Sequence, residues 1–98
     1  MTAVSFIPSP YADYHRRHYP RSAYVYQVLD ADGRVAYQVY ECLWLGEVTF
    51  TLYEIRRDPD QWDSWAIVKR IKGLTALWQV EDAIQAIENQ AAIATFSN

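Results

Sequence analysis

Between Ala23 and Ile71 apolar and aromatic side chains recur at every second residue, and from Val80 onward the spacing changes to three and four. A repeat of two sends successive side chains to opposite faces of a strand, whereas a three–four repeat lines one side of a helix. A chain that switches once between them folds as neither a helical bundle nor a pure sandwich. It must bury a sheet face under a helix, which makes it α+β.

The alternation falls into four runs. Tyr24, Tyr26 and Val28 oppose Ala23, Val25, Gln27 and Leu29, and Asp30-Ala31-Asp32-Gly33-Arg34 follows, with Gly33 able to take the positive φ of a tight turn. The return run sets Val35, Tyr37 and Val39 against Ala36, Gln38 and Tyr40. Leu43 to Gly46 lead into a third run, Glu47 to Ile55, where Val48, Phe50 and Leu52 alternate with Thr49, Thr51 and Tyr53. After the polar stretch Arg56 to Gln61, the fourth run occupies Trp65 to Ile71 and stops near Gly73. Val80, Ala83, Ile84, Ile87 and Ala91 then form a helical stripe, with Glu81 and Asp82 in the favourable first turn. The helix is expected to start between Thr75 and Val80.

Residues 8–21 hold three of the four prolines, each of which removes a backbone donor and biases its predecessor towards extended conformation. The expected architecture is therefore a single domain over residues 1–98: an extended N-terminal arm (1–22), a four-stranded antiparallel meander sheet (23–72) and one C-terminal helix (75–95) packed on it. Such a helix covers one sheet face and leaves tyrosines and tryptophans on the other.

Catalytic chemistry finds little support. Three glycines cannot build a phosphate-cradling loop, and no nucleophile-elbow or zinc-protease motif is present. His15 and His18 supply two imidazoles where a metal site needs three or four ligands, so no metal and no cofactor are assigned. Cys42 has no second cysteine to pair with and reads as a half-buried structural residue, which suits a reducing, cytoplasmic setting. Asp58, Asp60 and Asp63 sit in a polar turn that offers no desolvated cleft. No segment looks like a secretory signal, and no apolar run approaches the roughly 18 residues of a membrane-spanning helix. The chain is read as a non-enzyme.

Recognition is the better-supported role, because aromatics make up 15% of the 98 residues and a domain this small cannot hide them all. Net charge is −3, but residues 1–21 carry Arg16, Arg17 and Arg21 against Asp13 alone, leaving the remainder with six basic and eleven acidic side chains. Arginine and tyrosine are frequent interface anchors, so Tyr14, Arg16, Arg17, Tyr19 and Arg21 of the arm are the candidate partner-binding residues, together with Trp62 in the third turn. Alternatively, the arm lays its own tyrosines on the sheet. Trp65 falls within the fourth alternation and is expected in the core.

The expected partner is another protein. In size, single compact domain and lack of a catalytic motif the chain resembles the small accessory proteins of phages and mobile elements, including inhibitors of host defence such as anti-CRISPR proteins; the resemblance implies inhibition by binding and transfers no residue role. Two other roles compete with it. The arm could join Lys69, Arg70 and Lys72 to hold single-stranded nucleic acid, guanidinium groups meeting phosphate while rings stack on bases. Self-association, as a homodimer through a sheet edge or the uncovered aromatic face, is the third.

Overall fold

The structure, a computed structural model, describes residues 4–58, 60–61 and 64–96. Its elements run in the order β1 (Ile7–Pro8), α1 (Ala12–His18), β2 (Ala23–Leu29), β3 (Val35–Trp44), β4 (Glu47–Arg57), β5 (Trp65–Leu74) and α2 (Leu77–Phe96). The strands form one antiparallel sheet in the order β1-β2-β3-β4-β5.

The sheet thus has five strands where alternation predicts four. The extra strand is two residues long, too short for any periodicity, and adds to the outer edge of β2 with Ile7 opposite Gln27 and Pro8 opposite Tyr26. An edge position tolerates proline, whose missing donor would break a central ladder. The arm is not extended throughout either. It contains the seven-residue helix α1, which lies between Pro10 and Pro20. Those prolines bracket the helix instead of forbidding it: Pro10 precedes the N-cap Tyr11 and so removes no bond from the helix, and the residue before Pro20 resists helical conformation.

Directly opposed residues of an antiparallel ladder share a face, so the registers sort the sheet. Tyr26 opposes Val39, Val39 opposes Leu52, and Leu52 opposes Ile71. On this face the buried Tyr37, Val39 and Leu52 meet Val80 and Ile84 of α2, with Ala83 and Ile87 packed at the margin. The helical stripe expected from sequence is therefore the stripe that docks, except that Ala91 is exposed, and because α2 starts at Leu77 its first turn holds no acid, Glu81 and Asp82 falling in the second. On the opposite face Tyr24 opposes Tyr40, and Gln38 opposes Tyr53. The Tyr24 and Tyr40 rings stack at 5.3 Å, and Tyr40 meets Tyr53 edge-on at 5.1 Å. These rings shelter one another on the face that α2 does not cover.

Trp65 is not in the core. It is 52% exposed, because β5 is an edge strand and Trp65 pairs with Arg57 at the strand end. Gly33 takes φ +79 in the first turn, as its position there requires, and the Asp30 carboxylate accepts the backbone N–H groups of Asp32 and Arg34.

The core makes two expectations testable. Leu52 is 1% exposed and lies at the crossing of three strands under α2, so Leu52→Ala should lower unfolding free energy in urea by about 2–5 kcal/mol. The Tyr37 phenol donates to Glu88 Oε1 at 2.8 Å, and burial first, then that hydrogen bond, raises its pKa well above the ordinary value. A group that loses its proton more readily when unfolded stabilises the fold fully below about pH 10 and loses that contribution as pH climbs beyond it. Stability measured between pH 9 and 12 should therefore decline, and Tyr37→Phe should flatten part of the decline.

Candidate interaction surface

Helix α1 is marginal by itself, since seven residues form few internal hydrogen bonds. Its fixed charges follow the helix dipole, with Asp13 in the first turn and Arg16 and Arg17 in the last. Tertiary contacts do the rest. Ala12 packs against Ala23 and Val25, and Tyr26 joins this small cluster to the main core.

Three further contacts fasten the head to the sheet. The backbone N–H of Tyr24 donates to His15 Nδ1 at 3.2 Å. Ala23 opposes Glu41, which brings that carboxylate beneath α1, where Arg16 Nε reaches Oε2 at 3.1 Å. The pair is partly solvated and worth up to about 1 kcal/mol. Beyond the helix, the Leu43 N–H donates to the Pro20 carbonyl at 2.9 Å, tying the end of the arm to the end of β3.

On its outer side α1 carries a cluster of rings that support one another. His15 stacks with Tyr11 at 5.8 Å and meets Tyr19 edge-on at 5.5 Å, while His18 lies 4.3 Å from Tyr14. Tyr11, Tyr14 and Tyr19 nevertheless remain more than half exposed. Arg21 then sits over Trp44, its guanidinium carbon 4.3 Å from the ring centroid, and joins the head to the β3–β4 hairpin. Between them lies an open depression of about 530 Å³ lined by His15, His18, Tyr19, Pro20, Arg21 and Ser22.

The hairpin tip is apolar. Trp44 opposes Glu47, leaving Leu45 and Gly46 as a two-residue loop, and both have positive φ, +50 and +79. This is the backbone pattern that fits the strand twist, but it ordinarily takes Asn or Gly at its first position. Leu45 is 85% exposed, and Leu43, Trp44 and Val48 beside it are each more than 40% exposed.

Of the residues singled out in the sequence, Tyr14, Tyr19 and Arg21 share this surface. Arg16 is engaged internally with Glu41, and Arg17 Nε points back to the Asp13 carbonyl at 3.4 Å. Trp62 lies outside the described residues. Lys69, Arg70 and Lys72 are on β5, separated from the α1 side by β3 and β4, roughly 15 Å of sheet. The arm and the second basic cluster do not form one stripe. Leu45 is the residue sequence reasoning passed over: a Leu-Gly pair between two alternating runs is a hairpin signal hidden by an unusual first residue.

Cys42 is half-buried with Sγ 3.7 Å from Thr51 Oγ1. Among the described residues no three His, Cys, Asp or Glu side chains converge as a metal site, and no helix is long and apolar enough to cross a membrane. The chain matches no protein-family model, no curated protein and no solved structure.

Removing the imidazole should release the head. His15→Ala leaves the part-buried Tyr24 N–H without its acceptor, at a cost of about 1–3 kcal/mol if the site stays dry. Hydrogen exchange at the Tyr24 amide should accelerate, while the amides of β4 remain protected; unchanged exchange at Tyr24 would show that His15 does not hold the edge.

Proposed function

We infer that this chain is a non-catalytic protein-binding module whose contact surface joins the outer rings of α1 to the β3–β4 tip. The observation that carries the inference is Arg21 over Trp44, which links the exposed rings of α1 to the exposed tryptophan at the tip. Tyr14 and Tyr19 supply broad rings that lose little conformational freedom on binding, and Leu43, Leu45 and Val48 supply apolar area. Single exposed apolar residues are ordinary on soluble proteins, but contiguous ones rimmed by polar groups mark contact sites. Arg21 adds a cation to this surface, suited to a partner whose apolar pocket is bordered by carboxylates. Action by occupying a partner's surface also accords with the likeness to phage accessory proteins and anti-CRISPR inhibitors.

The tip allows folding and binding to be separated. Leu45→Asn replaces a left-handed leucine with a residue that tolerates that conformation, and should raise stability by about 1 kcal/mol. The same change should weaken partner retention, and Trp44→Ala together with it should weaken retention by about tenfold or more, as expected for loss of a buried anchor. Urea denaturation and quantitative co-purification from the native source provide the two readouts. If the double variant retains the same proteins at wild-type yield, the tip is not the contact surface.

A further inference from the structure

The two edges of the sheet are treated differently. At the β2 edge, β1 pairs with Gln27 and Tyr26, the Ser9 N–H donates to the Val25 carbonyl, and His15 Nδ1 takes the Tyr24 N–H. At the other edge, β5 runs for ten residues, and among the described residues no strand lies on its outer side. All of its residues except Ile71 and Leu74 are exposed. Half of each strand's backbone donors and acceptors point outward at an edge, so β5 offers a row of alternating N–H and C=O groups.

Its side chains are segregated along the strand. Trp65, Ile67 and Val68, each about half exposed, occupy the first part, while Lys69, Arg70 and Lys72 occupy the second. No acidic residue lies between Ser64 and Val80. The nearest acid across the ladder, Glu54 opposite Lys69, is engaged by Arg56 at 3.6 Å. Full antiparallel pairing of β5 with a second copy would gather the cations of both strands about the two-fold axis, which disfavours that occupant. A nucleic-acid strand could meet the cations, but phosphates only accept hydrogen bonds and would leave the outward carbonyls unanswered.

We propose that the β5 edge binds an extended acidic segment of another protein as a sixth, antiparallel strand. Antiparallel pairing fixes the polarity of the segment. Its N-terminal half, opposite Lys69 to Lys72, carries carboxylates, and its C-terminal half, opposite Trp65 to Val68, carries apolar side chains. Main-chain hydrogen bonds supply the affinity and the segregated side chains supply direction and choice. The site lies at the edge of the sheet opposite to α1, on the strand next to β4, and its recognition by main-chain pairing does not depend on the α1 and hairpin-tip surface.

The test titrates the intact protein with a ten-residue peptide bearing glutamates in its N-terminal half and valine and threonine in its C-terminal half. A version with lysines in place of the glutamates, the acidic peptide with its halves reversed, and an oligothymidylate serve as competitors. Amide shifts and exchange protection should appear along Trp65 to Leu74 with the acidic peptide, weaken as salt rises, and be about tenfold weaker for the lysine version. Lys69→Glu/Arg70→Glu/Lys72→Glu should exchange the preference, and Ile67→Lys should weaken the acidic peptide while leaving the β3–β4 ladder amides unchanged. Equal response to all peptides, shifts confined to other strands, stronger binding of the oligothymidylate, or concentration-dependent edge shifts without any peptide would each overturn the proposal.

Discussion

One C-terminal helix cannot cover both faces of a five-stranded sheet, and most of the architecture follows from that shortage. Val80 and Ile84 close one face over Tyr37, Val39 and Leu52. The other face covers itself with side chains long enough to lie on their neighbours. Tyr24, Tyr40 and Tyr53 do this in sequence across β2, β3 and β4, and burial raises the pKa of the Tyr24 and Tyr40 phenols. Irregularities in the β2–β3 and β4–β5 registers add local twist, which helps bring rings on successive strands together. The aromatic richness of the chain is thus partly structural: tyrosine replaces a second layer.

The same shortage governs the edges. With no second long helix available, the N-terminal segment folds back to close the β2 side, and the short helix α1 is stable because Ala12, His15 and Arg16 all find partners on that edge. Closing the edge this way puts the other side of α1, with Tyr11, Tyr14 and Tyr19, towards solvent. The exposed rings are a geometric consequence of using a tyrosine-rich segment as an edge cover. Their neighbour Trp44 extends the patch because the Pro20 carbonyl fixes Arg21 over it.

What the sequence revealed depended on how much chain each feature occupied. Strands β2 to β5 and helix α2 span several periods, and their alternation or stripe is visible without knowing the fold. Strand β1 has two residues and exists only because β2 offers it a ladder. Helix α1 was hidden by prolines that lie outside it, although the acidic-to-basic gradient from Asp13 to Arg17 and the flanking Pro10 and Pro20 are helix-boundary signals. Trp65 illustrates a different limit: alternation assigns a residue to a face, but whether that face is covered depends on strand order. Tyr14, Tyr19 and Arg21 could be placed on a surface from composition, whereas the role of Arg16 depended on Glu41, which sits 25 residues further along and arrives through the β2–β3 register.

Leu45 brings the energetic side of recognition into view. A leucine in left-handed conformation costs roughly 1–2 kcal/mol relative to its preferred backbone, and at 85% exposure it recovers almost none of that by burial. Folding therefore gains nothing from leucine at this turn, since Asn-Gly would close the same hairpin with less strain. Solubility gains nothing either, because Leu43, Trp44 and Val48 already leave apolar surface beside it. A contact surface does gain: a two-residue turn presents the leucine at the tip of the β3–β4 hairpin, with its backbone fixed before a partner arrives. Strain located at such a point is the expected mark of a residue retained for contact. The tyrosines of α1 carry no comparable conflict, because the head they belong to is needed to close the sheet. Leu45 is thus an exposed apolar residue that folding does not explain, and for that reason it supports the proposal of recognition at this end of the molecule.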